Sequence, residues 1–353
     1  MSNIDRLLSL AAPAMRSNIS ALKAPYKLTF SITYSCQSRC ATCNIWTIKP
    51  NNELSLKEIM AFAEKNRSFK WIEITGGEPF LRGDLAEIVS AFNENSKPYL
   101  VTMPTNSLCN ISLIKNQILK ILELGIPKLS ITVSLDGYKE LHDKIRGVKG
   151  NFDKAITVFK MLQELQQDHP NLFFVFGYTL SKFNQGMFEK TFESVKKEIP
   201  SINYNNFHVN LGQISDIYYS NSEIGLISDN ALVTAELKKI RKNRKIEIGA
   251  IPLIENAFLK GLEKYSETGR APVKSRSLDA SLFLDSYGNV FPSIMWNKKI
   301  GNIRDVDYDL SRLWNNADAE MARSDIKEGK DPENWTACEA YQSIIGDIFH
   351  TLL

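Results

Sequence analysis

Three of the chain's five cysteines fall inside eight consecutive positions. Cys36, Cys40 and Cys43 lie in "SITYSCQSRCATCNIW" (31–46), spaced C-x3-C-x2-C. A structural zinc site asks for four ligands, usually two close-spaced pairs. No second pair exists here: His142, His169, His208 and His350 are isolated in sequence, and Cys109 and Cys338 stand alone. A redox pair made of Cys40 and Cys43 leaves Cys36 without a role. Three thiolates suit a four-iron cube better, because each takes one iron and the fourth iron keeps an open position for a small molecule.

Such a loop has to be held by something. "KLTFSIT" (27–33), "WIEIT" (71–75), "YLVTMPT" (99–105), "LSITVSL" (129–135), "LFFVFGYTL" (172–180) and "NFHVNLG" (206–212) read as strands. Between them run segments of helical periodicity at 55–66, 83–95, 111–125, 152–167 and 187–199, the first with Ser55 and Glu58 placed as a capping box. Apolar strands alternating with helices predict a parallel sheet covered on both faces, whose chemistry gathers at the strands' carboxyl ends. Every motif of interest follows a strand.

Beyond about residue 215 the pattern changes. Residues 228–244 predict a helix with a basic, solvated end, 281–292 a hairpin turning at Ser286–Asn289, and 309–326 one further helix. At the other end, residues 1–24 predict an amphipathic helix with Ile4, Leu7, Leu8 and Ala11 on one face. That helix would pack on the body or rest on lipid headgroups.

With 43% hydrophobic and 24% charged residues, the composition is that of an ordinary globular chain with a sizeable core. A formal charge of +3 gives no reason to expect nucleic acid. No run approaches the roughly 18 apolar residues of a membrane span. The start lacks the basic region of an export signal, and five cysteines, an odd number, suit a reducing compartment, so a cytoplasmic location is expected.

The three cysteines, "TGGEP" (75–79) after the second strand, and "SLDGYKELHDKIRGVKGNFDK" (134–154) together resemble the radical S-adenosylmethionine (radical SAM) superfamily, in the subgroup with a SPASM or twitch extension. The resemblance covers 27–212 and continues more weakly through 281–341. It implies an α/β fold: a partial (β/α)6 TIM-type barrel over 25–215, with a SPASM/twitch-like α+β extension over 216–353. It also implies one [4Fe-4S] cluster on Cys36, Cys40 and Cys43, S-adenosylmethionine as cofactor, and an external flavodoxin- or ferredoxin-like electron donor.

Gly76, Gly77, Glu78 and Pro79 would then approach the methionyl ammonium, with Glu78 buttressing the turn. Asn106 would bond the ligand or hold its own turn, and Ser134 would reach the cofactor's sugar or methionyl end. Asp136 would face cofactor or substrate, and Arg146 the cofactor's carboxylate through its planar fork. Thr179 and Asn184 would touch ribose or adenine. Asn210 and Gln213 would line the substrate side or the adenine pocket; with Asp136 they are the candidates for a catalytic role. His142 reads as a structural histidine orienting its loop. The aromatic residue that relatives often carry before the last cysteine is Thr42 here, and Trp46 would shield the cluster instead.

Where the extension normally carries ligands of a second cluster, this chain has Ser293 and Tyr341, so Cys338 is left alone and no auxiliary cluster is expected. The implied activity is reductive cleavage of S-adenosylmethionine to a 5′-deoxyadenosyl radical. That radical would take hydrogen from, or add to, a small-molecule or lipid substrate. Peptide modification is the second reading, and a non-catalytic iron–sulfur sensor is the rival from another class.

Overall fold

The computed structural model describes residues 1–347; His350, counted above among the isolated histidines, lies outside them. After helix α1 (Asn3–Arg16) come β1 (Lys27–Ser31), α2 (Leu56–Lys65), β2 (Trp71–Thr75), α3 (Leu85–Ser96), β3 (Leu100–Thr105), α4 (Ile111–Glu123) and β4 (Lys128–Ser134). The chain continues through α5 (Lys139–Arg146), α6 (Asn151–Asp168), β5 (Leu172–Leu180), α7 (Phe188–Glu198) and β6 (Phe207–Leu211). These six strands are parallel neighbours in chain order, as a singly wound partial barrel requires. Their limits differ from the sequence-based ranges by a residue or two at most.

Local chemistry explains several element ends. Ser55 and Glu58 do form a capping box, with Ser55 N–H donating to Glu58 Oε2 at 2.9 Å. The strand alternation then sorts the two faces. Leu28, Phe30, Ile72, Ile74, Val101 and Met103 point at the helices and join one core with Phe62, Phe69 and Phe92. Phe30 packs edge-on against Phe92, and Phe62 stacks on Phe69. Each such fully buried ring contributes roughly 2 kcal/mol of transfer free energy.

The rest of the chain extends the same sheet. After α8 (Asn230–Asn243) and α9 (Ala250–Thr268), β7 (Ser281–Leu284) pairs parallel to β1, and β8 (Asn289–Phe291) and β9 (Gly301–Asn302) follow antiparallel. The expected hairpin is present, with Gly288 at φ +85° and Asp285 Oδ1 accepting from the Tyr287 and Asn289 N–H groups. The single helix expected over 309–326 is two: α10 (Ser311–Trp314) and α11 (Ala317–Lys327). Asn316 separates them because its side chain accepts from Ala319 N–H, capping α11 afresh.

Helix α12 (Ala337–Ile345) closes the lumen side of β1 and β7. Lys27 Nζ donates to Cys338 O at 2.6 Å and Gln342 Oε1 at 3.0 Å, and Gln342 Nε2 to Ser281 Oγ at 3.1 Å. Helix α1 docks through Arg6, Leu10 and Ala14, against Asn93, Tyr26 and Ala280. The stripe singled out in the sequence is thereby turned outward, with Ile4 70% and Leu8 60% exposed.

Candidate active site

The three cysteines follow β1 and lie half-buried on one loop. The loop is pinned from three directions. Helix α5 accepts Arg39 N–H at Arg146 O (2.9 Å) and Ala41 N–H at Ile145 O (2.7 Å). A strap over 213–221 accepts Asn44 N–H at Tyr219 O (2.8 Å), and Asn221 Nδ2 donates to Thr42 O at 2.9 Å. The turn after β2 completes the fixture, as Gly77 N–H donates to Thr33 O (2.7 Å) and Glu78 N–H to Ser35 O (2.9 Å).

The two glycines have a steric reason. A Cβ on Gly76 would sit 2.2 Å from Thr33 O, and one on Gly77 2.2 Å from Ser35 O. Gly76 also takes φ +139°, which side chains avoid. The "GG" therefore lets the second-strand turn press against the cysteine loop. Pro79 opens the short 3-10 turn Pro79–Leu81. Glu78 is buried beneath and accepts from Asn106 N–H (2.6 Å) and Phe80 N–H (3.2 Å). Burial pushes its carboxyl up to about 7, against those hydrogen bonds.

Asn106 does two jobs. Its Oδ1 caps Leu108 N–H at 2.9 Å, while Nδ2 lies 3.6 Å from Cys36 Sγ. Burial pushes the Cys36 thiol up to about 11 and the Cys43 thiol up to about 12. The cation facing them is Arg146, whose Nη1 donates to Cys40 Sγ at 3.7 Å.

Asp136 joins the ends of β4 and β5. Its Oδ1 accepts from Thr179 N–H (3.0 Å), its N–H donates to His142 Nδ1 (2.9 Å), and its Oδ2 lies 2.6 Å from Arg146 Nε. Burial, and the charge of Arg146, drop His142 to about 3, so it is a neutral acceptor; it sits within α5, not in a loop, and from there holds the turn after β4 through Asp136 N–H. Asn184 donates to Asp136 O and Thr179 O, both at 2.9 Å, and accepts from Ser181 N–H. Asp136 and Asn184 are each 1% exposed, with Asn184 committed to the Asp136 backbone and the Asp136 carboxylate to Thr179 N–H and Arg146. Ser134 is half-buried at the end of β4, in register with Gly177.

The lumen is polar. Thr29, Glu73, Thr102 and Ser130 occupy one row across β1–β4, with Glu73 paired to Lys27 at 2.8 Å. Gly177 pairs with His208, and Thr179 with Asn210. His208 lies 2.9 Å from Asn210 Nδ2 and, through Nδ1, 3.1 Å from the Tyr341 hydroxyl and 3.2 Å from Glu255 Oε1. Burial opposes ionisation of Glu255, but His208 and Arg244 outweigh it and hold the carboxyl near 2. Gln213 Oε1 accepts from the Tyr265 hydroxyl at 3.4 Å, at the root of the strap.

Sequence reasoning passed over several of these groups. His208 was visible, two residues before Asn210 on the same strand face, but it was set aside as isolated. Tyr341 was noted only as a missing cysteine. Nothing local marked Tyr218, whose hydroxyl accepts from Gly76 N–H (3.3 Å) and contacts Thr75 Oγ1. Ser293 Oγ caps Met295 N–H at 3.2 Å, and Cys338 Sγ donates to Glu73 Oε1 at 3.1 Å. Among the described residues, no three His, Cys, Asp or Glu side chains gather around a position for a single ion. A cube puts each thiolate on a different iron and so spreads its ligands further apart.

Comparison with known proteins places this geometry. The profile of the radical SAM superfamily matches residues 30–195. Fe-coproporphyrin III synthase of Methanosarcina barkeri (strain Fusaro / DSM 804) is 33% identical over 142 residues, 39% of this chain and 34% of that protein. The subtilosin biosynthesis protein AlbA of Bacillus subtilis (strain 168) is 28% identical over 144 residues, 40% of this chain and 31% of that protein. The matched stretch thus spans about a third of each curated relative.

Among solved structures, Streptococcus suis SuiB bound to S-adenosylmethionine superposes with a TM-score of 0.60 at 18% identity, over 86% of this chain and 69% of that one. The anSMEcpe complex with S-adenosylmethionine and a peptide gives 0.58 at 17% identity, over 84% and 82%. These likenesses extend the shared fold beyond the core into the C-terminal region. The chain therefore carries a radical SAM domain over residues 30–195, within a fold that it shares over most of its length with SuiB and anSMEcpe.

Proposed function

We propose that this chain is a radical SAM enzyme acting on a polar substrate held in the barrel lumen. The observation that carries the reading is the fixture of the cysteine loop against the Gly76–Gly77 turn, through Gly77 N–H to Thr33 O and Glu78 N–H to Ser35 O. Cys36, Cys40 and Cys43 would hold a [4Fe-4S] cluster, and their soft thiolate donors suit it. With cluster and S-adenosylmethionine bound, the chemistry available is one-electron cleavage of a carbon–sulfur bond to a 5′-deoxyadenosyl radical, which can take hydrogen from carbon.

The chain's own residues supply the setting. The Arg146 guanidinium beside Cys40 offsets thiolate charge, and Asp136 holds that guanidinium in place. Hydroxyls of Thr102 and Ser130 and the His208–Asn210 pair give the lumen hydrogen-bonding walls. Asn210 Oδ1 is buried without a partner, and an acyl chain would leave it so, which favours a polar small molecule over the lipid also considered from the sequence. Peptide modification is supported by the likeness to anSMEcpe, solved with a peptide bound.

The test is anaerobic reconstitution followed by dithionite and S-adenosylmethionine. Formation of 5′-deoxyadenosine, abolished by Cys40→Ala, is the expected result. A reconstituted cluster that never yields 5′-deoxyadenosine would overturn the enzyme reading in favour of a sensor.

A further inference from the structure

The amino ends of the strands, opposite the cysteine loop, carry an unexplained surface. Helix α1 lies under β1, β3 and β7: Arg6 Nη1 reaches Pro98 O at 3.4 Å, and Ala14 packs on Tyr26 and Ala280. The α8–α9 connection lies under β6: Arg244 donates to Phe207 O, and Asn205 Nδ2 to Lys245 O at 3.0 Å. Helix α12 touches both α1 and α9 and lies between them. Each of the outer segments presents aliphatic side chains to solvent. On α1 these are Ile4, Leu7 and Leu8; on the connection, Ile246 and Ile248 are 97% and 102% exposed, followed by Ile251.

Lysines gather at the same end of the fold. Helices α7 and α8 both end here, with Lys196, Lys197 and Lys242 in their last turns, and Lys97 caps α3. Lys238 and Lys239 are paired with Glu267 and Glu189, and Arg241 and Arg244 with Glu263 and Glu255. Lys242 and Lys245 instead stand exposed beside the isoleucines. Glu247 is the one acid between the two isoleucines, and Glu198 at the same end lies 3.9 Å from Lys160.

We propose that this amino-end face, with its exposed aliphatic side chains on α1 and the α8–α9 connection and with lysines at the same end, docks peripherally on an anionic lipid bilayer. Two separated groups of projecting aliphatics are poor material for a second copy of the chain, since a stable interface needs about 800 Å² per partner of continuous close packing. A bilayer surface accepts both groups at once, and its headgroups complement the lysines. No helix among the described residues is long and apolar enough to cross, so the contact lies on the surface. The cysteine loop lies at the opposite, carboxyl end of the strands. The inference does not depend on the chemistry proposed there.

Co-sedimentation of the full chain with vesicles tests it. Binding is expected to phosphatidylcholine vesicles containing phosphatidylglycerol and not to phosphatidylcholine alone, with release at about 1 M salt, where the screening length falls to about 3 Å. The double substitution Ile246→Asp, Ile248→Asp and the pair Leu7→Asp, Leu8→Asp should each weaken binding at least about tenfold. Lys242→Glu with Lys245→Glu gives the same readout without touching an apolar residue, should either pair lower the melting temperature. No binding to anionic vesicles, or variants that bind as the parent does, would overturn the proposal. A dimer seen by light scattering and dissolved by the same substitutions would overturn it in favour of a second copy.

Discussion

Arg146 Nε lies 2.6 Å from Asp136 Oδ2, and the same guanidinium reaches Cys40 Sγ through Nη1 at 3.7 Å. The Nε contact is an ion pair whose angle does not make a hydrogen bond. This guanidinium was expected to face a cofactor carboxylate, yet the fold commits much of its charge to a buried carboxylate and a thiol. Removing one partner of a buried pair costs on the order of 3 kcal/mol. Asp136→Asn should therefore lower unfolding stability by about that amount, read from urea denaturation of the metal-free, reduced protein.

Glu78 carries a pH signature. Burial raises its folded-state value from 4.5 to about 7. A raised value means that the stability advantage is whole below the unfolded value and is lost as pH climbs to the folded one. The stability of the parent relative to Glu78→Gln should thus fall between about pH 4.5 and pH 7, by at most about 3 kcal/mol, and then level off. A stability difference that stays flat across that window in paired denaturation curves would contradict it.

Gly77 and Gly83 make a paired test of close approach. A Cβ at Gly77 meets Ser35 O at 2.2 Å, whereas one at Gly83 meets nothing within 4 Å. Gly77→Ala must displace the cysteine loop, so iron retention against a chelator should drop sharply. Gly83→Ala should hold iron as the parent does.

Ala replacements at Cys36, Cys40 or Cys43 should each remove most iron from a reconstituted protein that otherwise binds about four per chain, with loss of the absorbance near 400 nm. Cys109→Ala and Cys338→Ala should leave the iron content unchanged. Iron lost with Cys338 would mean that this thiol, now hydrogen-bonded to Glu73, serves a second site.

Tyr218→Phe removes the hydroxyl that spans Gly76 N–H and Thr75 Oγ1. A buried hydrogen bond of this kind contributes about 1 kcal/mol, and the unpaired donor left behind costs a further 1–2 kcal/mol. The melting temperature should fall. Affinity for S-adenosylmethionine, measured by equilibrium dialysis on the reconstituted protein, should weaken, because the strap no longer steadies the turn.

Strand and helix order, the cysteine triad and the "GGEP" turn were legible because each rests on local pattern: alternation, periodicity, capping, close spacing. Asn315–Asn316 were read through as helix because their breaking effect depends on which amide side chain turns back to cap. The partners of Arg146 were hidden for another reason. An arginine's chain position shows its reach but not which carboxylate stands within it.

Local pattern in the sequence determined the clustering of the three thiols, the parallel sheet and the end of it where the motifs lie. Tertiary structure alone decided that Tyr218, from beyond the sixth strand, clamps the second-strand turn. The same holds for His208, Glu255 and Tyr341, which meet across 133 positions of chain. It also turned Ile4 and Leu8 outward, because small Ala14 and long Arg6 fitted the body better than the apolar stripe did. Contacts between distant segments are set by packing of the whole, and no local spacing encodes them.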